Sequence, residues 1–445
     1  MTNESKPGNG RGETRGTSVT DKARNDQVVL EEEFAALGAA ARKAARRLGV
    51  LPASVRNEAL RAMAEELRRN IDVICNANER DVKQGKRKGL SAPLLERLTL
   101  TPAQVESMAR ELDDIAALRD PIGEVTGMWT TKEGLRIGRV RVPLGVVGII
   151  YESRPNVTAD AAGLCVKSGN AVLLRGGRES LGTNSVLVEL LARSAERAGI
   201  PKGSIQMITS PSRDATTRLM SLEDLDVLIP RGGKSLKDAV RANATVPVIM
   251  TGMGNCHVYV DAVADIGKAI AVTDNAKTSR PSVCNAAETL LVHADIAREF
   301  LPRCLSLLAG KEVEIRGDER TRALFPAAIP ANEDDWDREY LDLILAVRVV
   351  DSIDDALEHI AIHGTGHSEA ICTESYSSAE RFLREVDAAA VYVNASTRFT
   401  DGGVYGYGAE MGISTQKLHA RGPMGAEQLT STKFIIYGNG QTRVS

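Results

Sequence analysis

Aromatic residues are scarce, at 4% of the chain, and the formal net charge is only −3. Neither a nucleic-acid surface nor a polyanion partner is suggested by that balance. The six cysteines, at positions 75, 165, 256, 284, 304 and 372, form no CxxC pair and no short secreted framework. Reduced thiols are therefore expected rather than disulfides. No apolar run approaches the roughly 18 residues a membrane span needs, and no signal-peptide core is visible. A soluble, cytoplasmic protein without a membrane partner is expected. No GxGxxG fingerprint occurs, which excludes the ordinary Rossmann signature. Large apolar residues are almost missing from residues 1–25, a Gly/Thr/Ser/Arg-rich stretch. It cannot bury enough to order itself and reads as a disordered tail. Its mixed charges, with Glu4, Glu13 and Asp21 among the basic residues, argue against a targeting arm.

What remains is long enough, in a chain of 445 residues, for two or three domains. Residues 28–118 read as helical. Leu30, Phe34, Leu37, Ala41 and Ala45 recur near the helical period, as do Leu60, Met63 and Leu67. Thr101 followed by Pro102 reads as an N-cap with proline at N1, and Val105, Met108 and Leu112 share one face. Arg42, Lys43, Arg46 and Arg47 form a basic face best read as solvated. Residues 129–142 alternate apolar and polar about a Glu133-Gly134 turn, a hairpin pattern that could pair with another subunit.

From Pro143 to Val260, strand-like runs alternate with helical patterns. Strands are expected at 146–150, 171–174, 205–208, 226–229 and 246–249, and helices at 157–168, 181–198, 216–222 and 234–243. Such alternation means βαβ units and a parallel sheet, with ligand at the carboxyl ends of the strands. Those ends carry Glu152, Ser153, Arg154 and Asn156 after the first strand, Arg175 and Arg178 about a Gly-Gly turn after the second, and Arg231, Gly232, Gly233 and Ser235 at a helix start after the fourth. A Gly-Gly turn entering a helix offers N–H groups and a positive dipole to phosphate, and arginine clamps phosphate bidentately. Each glycine pair alone is an ordinary turn; two basic ones on one sheet favour a dinucleotide.

A second βα series follows residue 261, making the fold class α/β. It carries Cys284 in a polar loop between a helical stretch and the apolar run at 289–292. A lone cysteine is most often a small buried hydrophobe. Here Lys277 and Arg280 precede it, and cations favour the thiolate that attacks a carbonyl. The cysteine would face the nucleotide domain across a cleft. His359, His363 and His367 are four apart, but Gly364 and Gly366 break the helix before the third and no fourth ligand is evident, so no metal is expected. The acidic run at 332–339 reads as solvated loop. The Gly-rich segment 400–408, beside Thr397, Arg398 and Asp401, reads as a flexible or substrate-closing loop.

Together, the segments Val142 to Thr158, Lys167 to Gly177, Asn275 to Glu288, Ala356 to Glu369 and Gly412 to Gly425 resemble the aldehyde dehydrogenase superfamily. The later ones resemble its branch that reduces L-glutamyl 5-phosphate to L-glutamate 5-semialdehyde in proline biosynthesis. The resemblance implies two parallel-sheet domains and a small β oligomerisation element. The nucleotide-binding domain would be residues 26–127 and 143–260. The catalytic domain would be 261–429, and the oligomerisation element 128–142 with 430–440. It implies Cys284 as nucleophile and Asn156 as oxyanion donor. It places Arg175 at the cofactor's adenosine ribose and Arg178 where a cation suits a 2′-phosphate, hence NADPH/NADP. It places Arg231, Gly232, Gly233 and Ser235 under the pyrophosphate, and Glu339 at the nicotinamide ribose. Ser153, Arg154, Lys277, Arg280 and Arg398 are candidates for the substrate's phosphate and carboxylate. In aldehyde-oxidising relatives a glutamate activates water, whereas the matching stretch 249–257 has no carboxylate. That absence suits a reductase, and equally a coenzyme-A-acylating aldehyde dehydrogenase, the alternative. A homo-oligomer is expected, with glutamate 5-kinase a candidate partner.

Overall fold

The structure, a computed structural model, describes residues 19–443. Five helices come first, Val19–Leu48, Ala53–Arg69, Ile71–Arg87, Ala92–Leu98 and Pro102–Ala117. The first begins inside the expected tail, which corrects that boundary; residues 1–18 of the tail lie outside the described residues. Thr101 caps the fifth helix in a capping box with Gln104, and Val105, Met108 and Leu112 are buried, as the spacing predicts.

A four-stranded parallel sheet follows, in the order Ile205–Met207, Ala171–Arg175, Val146–Tyr151, Val227–Arg231. It is buried on both faces. Val147 and Ile149 enter one core with the helices Ala53–Arg69 and Pro102–Ala117, while Val146 and Ile150 enter another with Phe34 and Ala41. This is the period-two alternation of a strand covered on both sides. The expected strand at 246–249 does not form. Val248 makes only an isolated bridge to Leu228, because Pro247 has no N–H to extend a ladder. The chain runs outward from the strand Val146–Tyr151 in one direction and returns to its other side. The switch point of this sheet therefore lies between Tyr151 and Arg231.

The second sheet has seven parallel strands, ordered Ile329–Pro330, Glu314–Gly317, Ile344–Val350, Ala287–His293, Cys256–Val260, Ser368–Cys372, Ala390–Val393. Two expected boundaries change. The strand Cys256–Val260 belongs to this sheet rather than to the nucleotide half. Residues Ala409, Met411, Ala420, Met424 and Leu429 pack into the first core rather than the second. Both corrections come from long-range packing, which a run of apolar residues does not specify.

The hairpin Val125–Thr130 with Arg136–Pro143 is extended by the strand Thr430–Tyr437 into a three-stranded antiparallel sheet. Gly134 takes the left-handed turn position at φ 83°. No described helix is long and apolar enough to cross a membrane.

Candidate active site

Two edges meet here: the carboxyl ends of the four-stranded sheet and the amino ends of the seven-stranded one. Cys284 precedes the strand Ala287–His293, and Gly254 and Asn255 precede the neighbouring Cys256–Val260. Side-chain contacts join the edges. The Thr251 hydroxyl donates to the Pro230 carbonyl at 3.0 Å, and Lys237 Nζ donates to the Gly252 carbonyl at 2.9 Å.

The Cys284 loop is held from behind. Gly254 packs so closely that a Cβ there would overlap the Cys284 carbonyl. Cys256 Sγ donates to that same carbonyl at 3.3 Å. The Asn285 side chain donates to the Thr400 carbonyl at 2.9 Å, and the Thr397 hydroxyl donates to the Asn285 carbonyl at 2.7 Å. The Cys284 N–H has no acceptor among the described residues. Burial pushes the thiol up to about 11, the nearby Glu410 and Glu339 carboxylates add to this, and Arg231 and Lys237 oppose it.

Lys277 is not one of the cations at the thiol. Its Nζ lies 2.6 Å from Glu288 Oε2, and both side chains are fully buried. Glu288 Oε1 accepts from the Leu341 N–H at 3.1 Å, so the pair shapes the loop after Glu339. Lys277 thus has a buried structural partner in place of an open approach to substrate. Ser153 is engaged internally as well. Its N–H and its hydroxyl both donate to Glu179, at a backbone φ of 26°. The other expected cations converge. Arg154 lies in the fields of Arg97, Arg231, Arg280 and the Cys284 thiol, and Arg398 in those of Arg280 and the thiol. Arg398 is braced on Ser279 Oγ at 3.1 Å and on Asn285. An arginine cluster around one thiol can receive a multiply anionic substrate.

Asn156 opens the helix Asn156–Lys167 beside this cluster, and its Nδ2 donates to Asp160 Oδ2 at 3.3 Å. Arg231 was expected under a pyrophosphate. Its guanidinium packs on Gly412 and acts on Cys284, Asp160 and Glu410. Nothing in the sequence marked Lys237, Glu410 or Asp160, since all three belong to the site only through folding. Glu410 accepts from the Gly402 N–H at 2.9 Å, and burial raises its pKa.

The residues expected to hold a dinucleotide line the other side of the switch point. The Gly233 N–H, at the start of the helix Lys234–Asn243, donates to Glu152 Oε2 at 3.0 Å. A cradle that takes a carboxylate oxygen suits a phosphate oxygen. Arg175 is buried against the Gly176 and Ser212 carbonyls with its Nε unpartnered, Arg178 is exposed, and Ser235 is exposed one residue into the helix. Glu339 Oε1 accepts from the Gly254 N–H at 2.7 Å, which sets it beside the Cys284 loop. The three histidines do not converge. The His359 and His363 rings lie with centroids 4.5 Å apart and planes tilted by 45°, while His367 turns to Ser368 Oγ at 2.8 Å.

Paired parallel sheets with a thiol at the edge between them define an aldehyde-dehydrogenase-type enzyme. The sequence model of the aldehyde dehydrogenase family matches residues 27–328, and the chain belongs to that family. Within it, the chain is 60% identical over 415 residues to the γ-glutamyl phosphate reductase of Syntrophomonas wolfei, covering 93% of this chain and 99% of that one. To that of Moorella thermoacetica it is 60% identical over 407 residues, covering 91% and 97%. The crystal structure of the γ-glutamyl phosphate reductase from Thermotoga maritima superposes with a TM-score of 0.90 at 48% identity, covering 93% of this chain and 100% of that one. An acetylating aldehyde dehydrogenase from Geobacillus thermoglucosidasius shares the fold at 20% identity, with a TM-score of 0.67 and coverage of 95% and 100%.

Proposed function

We propose that the chain reduces L-glutamyl 5-phosphate to L-glutamate 5-semialdehyde and phosphate, using NADPH, in proline biosynthesis. The observation that carries this reading is the arginine cluster of Arg154, Arg231, Arg280 and Arg398 about the Cys284 thiol. It complements a substrate with a phosphate at one end and a carboxylate at the other. The high identity to reductases of that name supports it.

Cys284 loses its proton when substrate enters. Its sulfur attacks the acyl carbon, and the oxyanion is received by the Asn156 amide and the Cys284 N–H. Phosphate leaves against the arginines, and a thioester remains on Cys284. A nicotinamide cofactor, when bound, supplies the hydride that reduces the acyl carbon. Collapse of the resulting thiohemiacetal oxyanion frees the aldehyde and returns the thiolate, which takes up a proton to restore the thiol. Overall, one proton is consumed as phosphate departs. Glu410, facing both Cys284 and Arg231, is the group suited to move it.

Arg175, Gly232, Gly233, Ser235 and Glu339 would hold the cofactor, and the exposed Arg178 would pair with a 2′-phosphate. The four-stranded sheet with its helices would then serve as the nucleotide half, and the seven-stranded sheet as the catalytic half. The three-stranded sheet exposes Trp129, Phe434 and Ile436 at 47%, 60% and 56%. That apolar face suits a second copy of the chain. A cytoplasmic setting and hand-over of the unstable acyl phosphate from glutamate 5-kinase complete the proposal.

The reverse reaction tests it. Purified protein given glutamate semialdehyde, NADP and inorganic phosphate should form NADPH, and Cys284→Ala should not. Equal rates without phosphate would refute the reading. A requirement for coenzyme A in its place would establish the acylating alternative.

A further inference from the structure

Asn156 can serve an oxyanion only if its carboxamide faces the right way. The two ends of the amide are the same size, and one donates while the other repels an oxyanion. Asp160 lies one helical turn on, at the spacing that brings two side chains onto one face. Asn156 Nδ2 donates to its Oδ2 at 3.3 Å, while Asp160 Oδ1 is buried without a partner among the described residues. The half-buried Glu111 carboxyl, from the neighbouring helix Pro102–Ala117, acts on Asp160 alongside Arg231. Burial and Glu111 push the Asp160 pKa up while Arg231 opposes them, and the balance favours a proton on Asp160.

That proton is a hazard to the amide. An Asp160 hydroxyl turned toward Asn156 would donate to Oδ1 and flip the carboxamide, presenting its carbonyl to the substrate. Glu111 offers the hydroxyl another acceptor, which leaves the oxygen facing Asn156 free to receive Nδ2–H. We propose that Asp160, with its hydrogen taken by Glu111, is a positioning residue that fixes the donor end of the Asn156 amide for the reaction at Cys284. This rests on the reading of Asn156 as the oxyanion donor.

A double-mutant cycle tests both layers separately, with turnover measured in the semialdehyde-to-NADPH direction and NADPH affinity by fluorescence. Removing an oxyanion donor lowers kcat by about a hundred- to a thousandfold, which is the expectation for Asn156→Ala. Asp160→Leu should lower kcat about tenfold or more, leaving the KM for NADP and the NADPH affinity unchanged. In the double variant the Asp160 change should add nothing to the loss from Asn156→Ala, because there is no amide left to orient. Asp160→Asn should rescue kcat to within a few fold, since its carbonyl can accept from Asn156 while its amide donates to Glu111. A normal kcat in Asn156→Ala would remove the oxyanion reading. A full loss in Asn156→Ala with a further, multiplicative loss in the double variant would leave that reading standing and overturn the role of Asp160. If Asp160→Leu does not fold, Glu111→Leu takes its place in the cycle, with the same expected losses and the same refuting result.

Discussion

Replacing Lys277 by methionine separates a structural lysine from a substrate-binding one. Methionine keeps an unbranched stem but leaves Glu288 without its cation. A buried carboxylate that loses its partner takes a proton instead. With Lys277 in place, burial already pushes Glu288 up to about 7. In Lys277→Met the folded value lies higher still, so the group is neutral in the native state at pH 7. Its ordinary value is 4.5. Holding it protonated at pH 7 costs the variant about 3 kcal/mol relative to its own stability at low pH, at roughly 1.4 kcal/mol per pH unit, and wild type, with Glu288 pushed up to about 7, already bears most of that cost. The sign follows from a folded pKa above the unfolded one. The variant keeps its stability below about pH 4.5 and loses it progressively as pH rises toward the folded value.

Urea unfolding at pH 5 and pH 7 reads this directly. The deficit of Lys277→Met relative to wild type should be present at both pH values and larger at pH 7 by less than about 1 kcal/mol, since wild type titrates Glu288 over much of the same range. Glu288→Gln should be worse, because it leaves an ammonium buried alone, with an expected loss of about 3–5 kcal/mol. The double variant removes both charges and keeps an oxygen for the Leu341 N–H, so it should lose less than either single change, about 1 kcal/mol. If Lys277→Met retains wild-type stability at pH 7 and instead raises the KM for the acyl substrate, the argument from burial is wrong and Lys277 is a substrate residue.

Four further outcomes are expected. Gly254→Ala should reduce turnover by at least tenfold, because its Cβ overlaps the Cys284 carbonyl, and a near-normal kcat would refute that packing. Alkylation of Cys284 by iodoacetamide in the free enzyme should be slow at pH 7 and accelerate about tenfold per pH unit to pH 9 or above, since the thiol titrates near 11; a plateau near pH 7 would contradict it. Glu410→Gln should speed that alkylation at pH 8 by removing a carboxylate that disfavours the thiolate. Arg178→Ala should raise the KM for NADP about tenfold or more and leave that for NAD unchanged, while equal effects on both would remove the 2′-phosphate assignment.

Local patterns carried most of the fold into the sequence. The helices Leu181–Arg197 and Lys234–Asn243 run to within a residue of what their periodicity predicts, because amphipathic spacing and the turn residues around it act within one element. Cys284, Asn156 and the arginines were marked as candidates by their places at strand ends and in polar loops. What was not legible depends on distant neighbours. Lys277 stands seven residues before Cys284, close in sequence, yet Glu288 captures it from the following strand. Arg231 stands in a Gly-Gly turn that resembles a phosphate cradle, yet its side chain turns to Gly412, far along the chain. Glu152, at the same switch point, caps the Gly233 N–H across the sheet. In each case the pairing joins residues through tertiary packing, which carries no spacing rule.

The placement of carboxylates bears on why such a site would reduce rather than hydrolyse. The stretch Met250 to Asn255 has no carboxylate of its own, but the fold brings Glu410 and Glu339 into the field of the thiol. Neither is an efficient base for water. Glu339 has one oxygen committed to the Gly254 N–H at 2.7 Å. Glu410 has one on the Gly402 N–H, and burial shifts it toward its protonated form. A carboxyl whose pKa is raised by burial is suited to pass a proton to a departing phosphate, the part the proposed mechanism gives Glu410 beside Arg231. Both carboxylates are tied to backbone N–H groups rather than free to activate a water on the thioester, so in the proposed mechanism the thioester is left for hydride rather than for water.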